Sequence, residues 1–184
     1  MIRAEDMEGR VFCGETAVGA ARGPLARVWL EPLDAEPLPE AVLAILQADL
    51  ILMAPGSLYT STIASLLIPE LRLAVARAGL PVIYVANLMT EPTETAGMDL
   101  EAHVAAIQSF AGIALRVVLA NTTPLPGNLL RRYRQEGGVP LLADAGTLCG
   151  VRVVAQPLLD PDAEMARHHP VLLNRALREV IASL

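Results

Sequence analysis

The apolar residues of this chain fall mainly in short continuous runs, separated by Pro, Gly and mixed-polarity stretches. "DLILM" (49–53), "PVIYVA" (81–86), "LRVVLA" (115–120), "VPLLAD" (139–144) and "VRVVAQ" (151–156) are such runs, preceded by "ARVWL" at 26–30. Continuous apolar runs of this length predict strands covered on both faces, the habit of a parallel sheet. Between them the pattern predicts helices over 39–47, 59–67, 69–78, 99–110, 126–135 and 170–183. Four of these begin at a Pro, which a first helical turn accepts because its missing N–H has no helical partner there. Alternating strands and helices joined by short loops predict an α/β fold: a mostly parallel sheet with helices on both faces. The first 25 or so residues read as a peripheral hairpin or arm outside that alternation.

Such a sheet binds ligands in the crevice beyond the carboxyl ends of its strands. Two loops fall there. The first, "APGSLYTS" (54–61), joins a Gly turn to a cluster of hydroxyls at a helix start. Gly56 allows a close backbone approach, and amides at a helix start with several hydroxyls suit phosphate or another anion. The same residues suit plain capping, with Ser57 or Thr60 satisfying the orphan amides. The second loop, "ANLMTEPTETAGMDLEAH" (86–103), is long for a strand–helix link, and long loops in compact domains are often functional. Asn87, Thr90, Glu91, Thr93, Glu94 and Thr95 are expected beside the first loop if the two strands are neighbours. Asp99 is expected to cap the next helix, and His103 to be a structural histidine.

Composition narrows the chemistry. The chain has 184 residues, 53% apolar and 18% charged, enough for one domain with a real core. All 14 basic residues are Arg. Schiff-base chemistry, a lysine general base and a phosphate-loop lysine are therefore excluded, while Arg offers a planar fork for phosphate or carboxylate. A net charge of −6 and the lack of a basic stripe argue against nucleic-acid binding. No apolar run reaches the roughly 20 residues of a membrane helix. With no signal-like start, a cytoplasmic location is expected. Cys13 and Cys149 read as reduced thiols, and the scattered His and Cys residues offer no metal set. A hydrolase using Ser57 is disfavoured, because the chain has no G-x-S-x-G.

The segments "ADLILMAPGSLYTS", "LLIPEL" and "IYVANLMTEPTETAG…AHVAAI", in this order and spacing, resemble the YvcK/CofD-like family. The resemblance extends from "GRVFCGET" to "MARHHP" and is nearer to the gluconeogenesis factors than to the distant 2-phospho-L-lactate transferases. It implies a three-layer Rossmann-like fold and one CofD-like domain over 1–184. It also implies that a Gly-rich N-terminal half is missing, as in a fragment or shortened form. The implied function is a cytoplasmic UDP-sugar-binding regulatory protein of carbon metabolism and cell shape, without turnover. The alternative is a transferase using a nucleotide-diphosphate donor and a deazaflavin acceptor.

The resemblance also implies ligand contacts at Tyr133, in "RRYRQEGGVP", and at Arg167, in "MARHHP". A half-buried helix aromatic and a solvated helix end are the plain alternatives. The chain departs from the family pattern where Thr93 replaces Gly and Ala102 replaces the acid before His103, so no acid–histidine pair supports a general base there. The expected ligand-binding set is Gly56, Ser57, Tyr59, Thr60, Ser61, Asn87, Thr90, Glu94, Tyr133 and Arg167, with no catalytic residue and no resident metal. A Mg²⁺ ion accompanying a diphosphate needs only one or two carboxylates, for which Glu94 or Asp144 would serve. A free sheet edge and apolar helices predict a homo-oligomer.

Overall fold

The computed structural model describes residues 1–184. Five strands form the central sheet: β4 (Ile51–Met53), β5 (Val82–Val85), β6 (Val117–Asn121), β7 (Gly146–Leu148) and β8 (Val151–Gln156), in the order β4-β5-β6-β8-β7. Strands β4, β5, β6 and β8 are parallel, as their continuous apolar runs predict, and β7 closes one edge antiparallel to β8.

Because successive side chains of a strand point to opposite faces, the sheet feeds two cores. Ile83, Val85, Val117 and Leu119 pack against Ala176 and Val180 of α6 (Pro170–Ala182). Val82, Tyr84, Val118 and Ala120 face the larger core, with Leu100 and Val104 of α4 (Leu100–Ala106). Each wholly buried Leu or Ile contributes about 1.5–3 kcal/mol. The remaining helices are α1 (Glu15–Gly19), α2 (Pro39–Leu46), α3 (Pro69–Ala78) and α5 (Gly127–Glu136).

Three expectations change. "ARVWL" lies in β3 (Leu25–Leu30), which pairs antiparallel with β1 (Ile2–Asp6) in a separate sheet ordered β2-β1-β3, where β2 is Val11–Cys13. Its run is interrupted by exposed Arg27, whose guanidinium lies 4.8 Å from the ring centroid of half-buried Trp29, and suits a one-sided sheet. The first 25 residues do form a hairpin, but they are not peripheral: Ala4 and Val18 are fully buried in the larger core, with Ile2 and Ala21. "VPLLAD" adds no strand to the central sheet. It runs beside 88–90 through a Met89–Pro140 bridge and touches β6 only at Asn121–Leu142, since Pro140 has no N–H to donate to a ladder. Both cysteines are free and exposed.

Candidate functional site

The segment after β4 does not begin as an ordinary α-helix. Leu58–Ile63 is a π-helical turn, followed by a 3₁₀ turn at Ala64–Leu66. The Thr62 N–H reaches the Ser57 carbonyl at 2.9 Å, a five-residue span. Single π turns occur often at functional sites. Neither of the predicted caps operates, because Ser57 makes no side-chain capping bond. The cap comes from the other loop. Glu94 Oε1 accepts from the backbone N–H groups of Tyr59 (2.6 Å) and Thr60 (2.9 Å), while Thr60 Oγ1 approaches Oε2 at 3.4 Å. The N–H groups of Ser57 and Leu58 find no partner within the chain.

Glu94 is only 4% exposed. Burial pushes its carboxyl up to about 7; the Thr60 and Tyr59 amides pull it down, and the neighbouring Glu91 pushes it up. Burial likewise lifts the Tyr59 hydroxyl to about 12, with the Glu94 charge adding to it. A second tie joins the loops. Asn87 Oδ1 accepts from the Gly56 N–H (3.2 Å) while Asn87 Nδ2 donates to the Gly56 carbonyl (2.9 Å). Gly56 relieves crowding here, since a Cβ would lie 3.3 Å from that of Ser61 and Ser61 would have to shift by a few tenths of an ångström.

The two loops and the far end of α5 enclose a cleft of about 270 Å³, lined among others by Gly56, Ser57, Asn87, Glu91, Tyr133 and His168. It lies beyond the carboxyl ends of β4 and β5, where a parallel sheet presents its ligand sites. Gly137 (φ +92°) ends α5 in the left-handed conformation, and Gly138 lets the chain pass close to the Thr90 carbonyl. Tyr133 is thereby held facing the second loop. Its hydroxyl accepts the Ala166 N–H at 3.1 Å, so it also anchors the segment that carries His168.

Four of the ten expected residues line this cleft: Gly56, Ser57, Asn87 and Tyr133. Glu94 and Thr60 form the latch behind it. Tyr59 is buried edge-on against Phe110, with ring centroids 5.6 Å apart. Ser61 lines an adjoining pocket beside β4, with Thr62 and Ser65. Thr90 is buried and exchanges bonds with Val139: its N–H donates to the Val139 carbonyl, and its Oγ1 accepts the Val139 N–H, both at 2.8 Å. Arg167 is exposed and its side chain forms no salt bridge, whereas its neighbours Ala166 and His168 line the cleft.

Sequence reasoning did not single out His168 as a cleft residue. The signal available was alternation: His168 bridges Leu159 as extended chain, which places 166 and 168 on one side and 167 on the other. Burial lowers the His168 pKa and favours its neutral form. Asp99 does cap α4, accepting the Ala102 N–H at 2.8 Å. His103 is wholly buried with Nδ1 2.8 Å from the Asp99 carbonyl, although its Nε2 has no partner. No group of three or more His, Cys, Asp or Glu residues is arranged to hold a metal.

Residues 1–159 match the family described as 2-phospho-L-lactate transferase CofD. The chain belongs to the CofD family. It is 40% identical over 180 residues to a Deinococcus radiodurans relative, covering 96% of this chain and 38% of that one. To the Bacillus subtilis gluconeogenesis factor it is 33% identical over 171 residues, covering 91% and 54%. A crystal structure of a Bacillus halodurans protein superposes with a TM-score of 0.89 at 29% identity, covering 96% of this chain and 58% of the other. A second structure from that organism, a UPF0052 family member, superposes with a TM-score of 0.87 at 28% identity. The chain thus spans about half the length of these relatives. No single helix is long and apolar enough to cross a membrane.

Proposed function

We propose that this chain is a nucleotide-sugar-binding regulatory unit of the gluconeogenesis-factor type, linked to carbon metabolism and cell shape, that holds a UDP-sugar or similar nucleotide diphosphate. The observation carrying the proposal is the convergence of Gly56, Ser57, Asn87 and Tyr133 on one cleft. The free Ser57 and Leu58 amides and the Ser57 hydroxyl supply donors for diphosphate oxygens without a lysine. Tyr133 supplies a flat apolar face, and Arg167, one residue from the lining, supplies a charged fork at the rim. A Mg²⁺ ion would arrive with the diphosphate, and Glu91 is the carboxylate that lines the cleft. Glu94 is committed to the latch, and exposed Asp144 is not part of the lining.

A sensor fits this inventory better than an enzyme does. The polar groups in the cleft bind and orient, and His103, the one histidine in the family's loop, is sealed in the core. The transferase reading draws on the description of the matched family.

Calorimetric titration of the chain with UDP-glucose, GDP and pyrophosphate separates the readings. Binding of UDP-glucose in preference to GDP supports a nucleotide-sugar sensor. Transfer of phospholactate to a deazaflavin acceptor would replace it with the transferase reading.

A further inference from the structure

Among the polar side chains that line the ligand cleft, only His168 has a buried atom without a hydrogen bond, its Nε2. Asn87 is bonded to Gly56, and the Tyr133 hydroxyl to the Ala166 N–H. The backbone on either side of His168 is tied down. The Arg167 carbonyl accepts the Asp160 N–H at 2.8 Å, and the His169 N–H donates to the Leu158 carbonyl at 2.7 Å. The ring is thus held at a fixed place in the cleft wall by the chain's own residues, with part of its bonding capacity unused.

Its charge state decides what it can bind. Burial lowers the His168 pKa, and the Ala86 carbonyl, just past β5, opposes this only in part. No carboxylate acts on the ring, although Glu91 lines the same cleft. The imidazole is therefore neutral near pH 7.5, where a pKa below 6.5 leaves fewer than about one ring in ten protonated. A neutral imidazole has one N–H and one lone pair. Ala86 is only 1% exposed, so the nitrogen that meets its carbonyl is the sealed one, Nε2, and that nitrogen carries the proton. Nδ1 makes no bond within the chain and is not sealed, which leaves its lone pair to the cleft. A diphosphate oxygen only accepts hydrogen bonds and would meet this lone pair unfavourably. A sugar hydroxyl or the N–H of a uracil ring donates, and needs no added proton.

Resting on the nucleotide-sugar reading, we propose that His168 is a specificity-determining residue of the cleft, whose Nδ1 accepts a hydrogen bond from a neutral donor of the ligand, a sugar hydroxyl or the uracil N–H. Nε2–H stays towards the Ala86 carbonyl, and the diphosphate is left to the Ser57 and Leu58 amides. His168 then separates a nucleotide sugar from a bare diphosphate, because a site built to bond a ligand donor disfavours a ligand that lacks it.

Calorimetric titration of the chain with UDP-glucose, UDP and pyrophosphate tests the proposal. His168→Leu fills the space of the ring without a lone pair. It is expected to weaken UDP-glucose about tenfold and to leave pyrophosphate within about twofold of wild type. His168→Asn returns an acceptor oxygen near the place of Nδ1 and is expected to recover UDP-glucose affinity to within about threefold. UDP locates the donor: weakening by His168→Leu puts it on the uracil or ribose, and no weakening puts it on the hexose, both in keeping with the proposal. Equal weakening of pyrophosphate and UDP-glucose by His168→Leu makes His168 a phosphate contact and overturns the proposal. So does an unchanged UDP-glucose affinity, or a His168→Asn protein as weak as His168→Leu. A wild type that binds pyrophosphate but not UDP-glucose removes the nucleotide-sugar reading itself, and the proposal with it.

Discussion

Glu94 Oε1 stands 2.6 Å from the backbone nitrogen of Tyr59. A carboxylate from the loop after β5 thus occupies the start of the helical turn after β4, the place where an external anion would bind in a bare helix. The bond unites the two loops that shape the cleft. Its pH dependence follows from burial, which raises the carboxyl from 4.5 to about 7. Between those values the folded chain keeps a proton that the unfolded chain has lost. Stability therefore falls as pH rises through this window and levels off above it, by at most about 3 kcal/mol. Glu94→Gln keeps an oxygen for both amides and does not titrate. Thermal denaturation from pH 5 to 8 should show a declining midpoint for the wild type and a flatter profile for Glu94→Gln.

Asn87 uses both ends of its amide on Gly56, donating to the carbonyl and accepting from the N–H. Asn87→Asp retains the shape, loses the donor and sets a carboxylate oxygen against the Gly56 carbonyl. We expect a loss of about 1 kcal/mol in urea unfolding, since a half-buried hydrogen bond is replaced by a repulsive contact. Binding of pyrophosphate should fall with it, because the Gly56 turn is no longer held in place.

Tyr84 tests the opposite case. It is fully buried, and its hydroxyl makes no hydrogen bond of ordinary geometry, the Asn87 backbone being the one polar group that stabilises its charged form. Leaving such a group unpaired costs about 1–3 kcal/mol, and replacing it by an apolar group of the same shape removes that cost. Tyr84→Phe should therefore raise the melting temperature or leave it unchanged. A clear drop would show that the hydroxyl has a partner in solution.

The parallel strands were legible because burial on both faces imposes an apolar run that needs no knowledge of neighbours. The position of the cleft followed from strand direction alone. What could not be read depends on contacts distant in sequence. The Tyr59 and Thr60 amides are capped by Glu94, 35 and 34 residues away, so local capping chemistry pointed to Ser57 and Thr60 instead. Thr90 looked like a ligand contact because of its loop, but pairing with Val139, 49 residues on, gives it a structural task. The role of the first 25 residues was hidden for the same reason: Ala4 and Val18 reach the core only after the small sheet folds over it.

Tyr133 and Arg167 separate the structural and ligand roles of the cleft most directly. The Tyr133 hydroxyl accepts the Ala166 N–H, while its ring borders the cleft. Tyr133→Phe removes only the hydrogen bond; a net loss of about 1 kcal/mol of stability is expected, with faster amide exchange around Ala166 and most UDP-glucose affinity retained. Tyr133→Ala also removes the face on which a base or sugar would rest, worth about 1–3 kcal/mol by analogy with base stacking on aromatic side chains, so affinity should fall about tenfold or more. Arg167 makes no side-chain bond within the chain and is exposed, so Arg167→Ala should leave the melting temperature unchanged. If its fork closes on the diphosphate, the same substitution weakens UDP-glucose binding by about tenfold or more and reduces the salt dependence of affinity. Arg167→Lys should recover the charge but not the two-point geometry, and so fall between the two. Affinity unchanged in Tyr133→Ala and in Arg167→Ala would place the nucleotide outside this cleft.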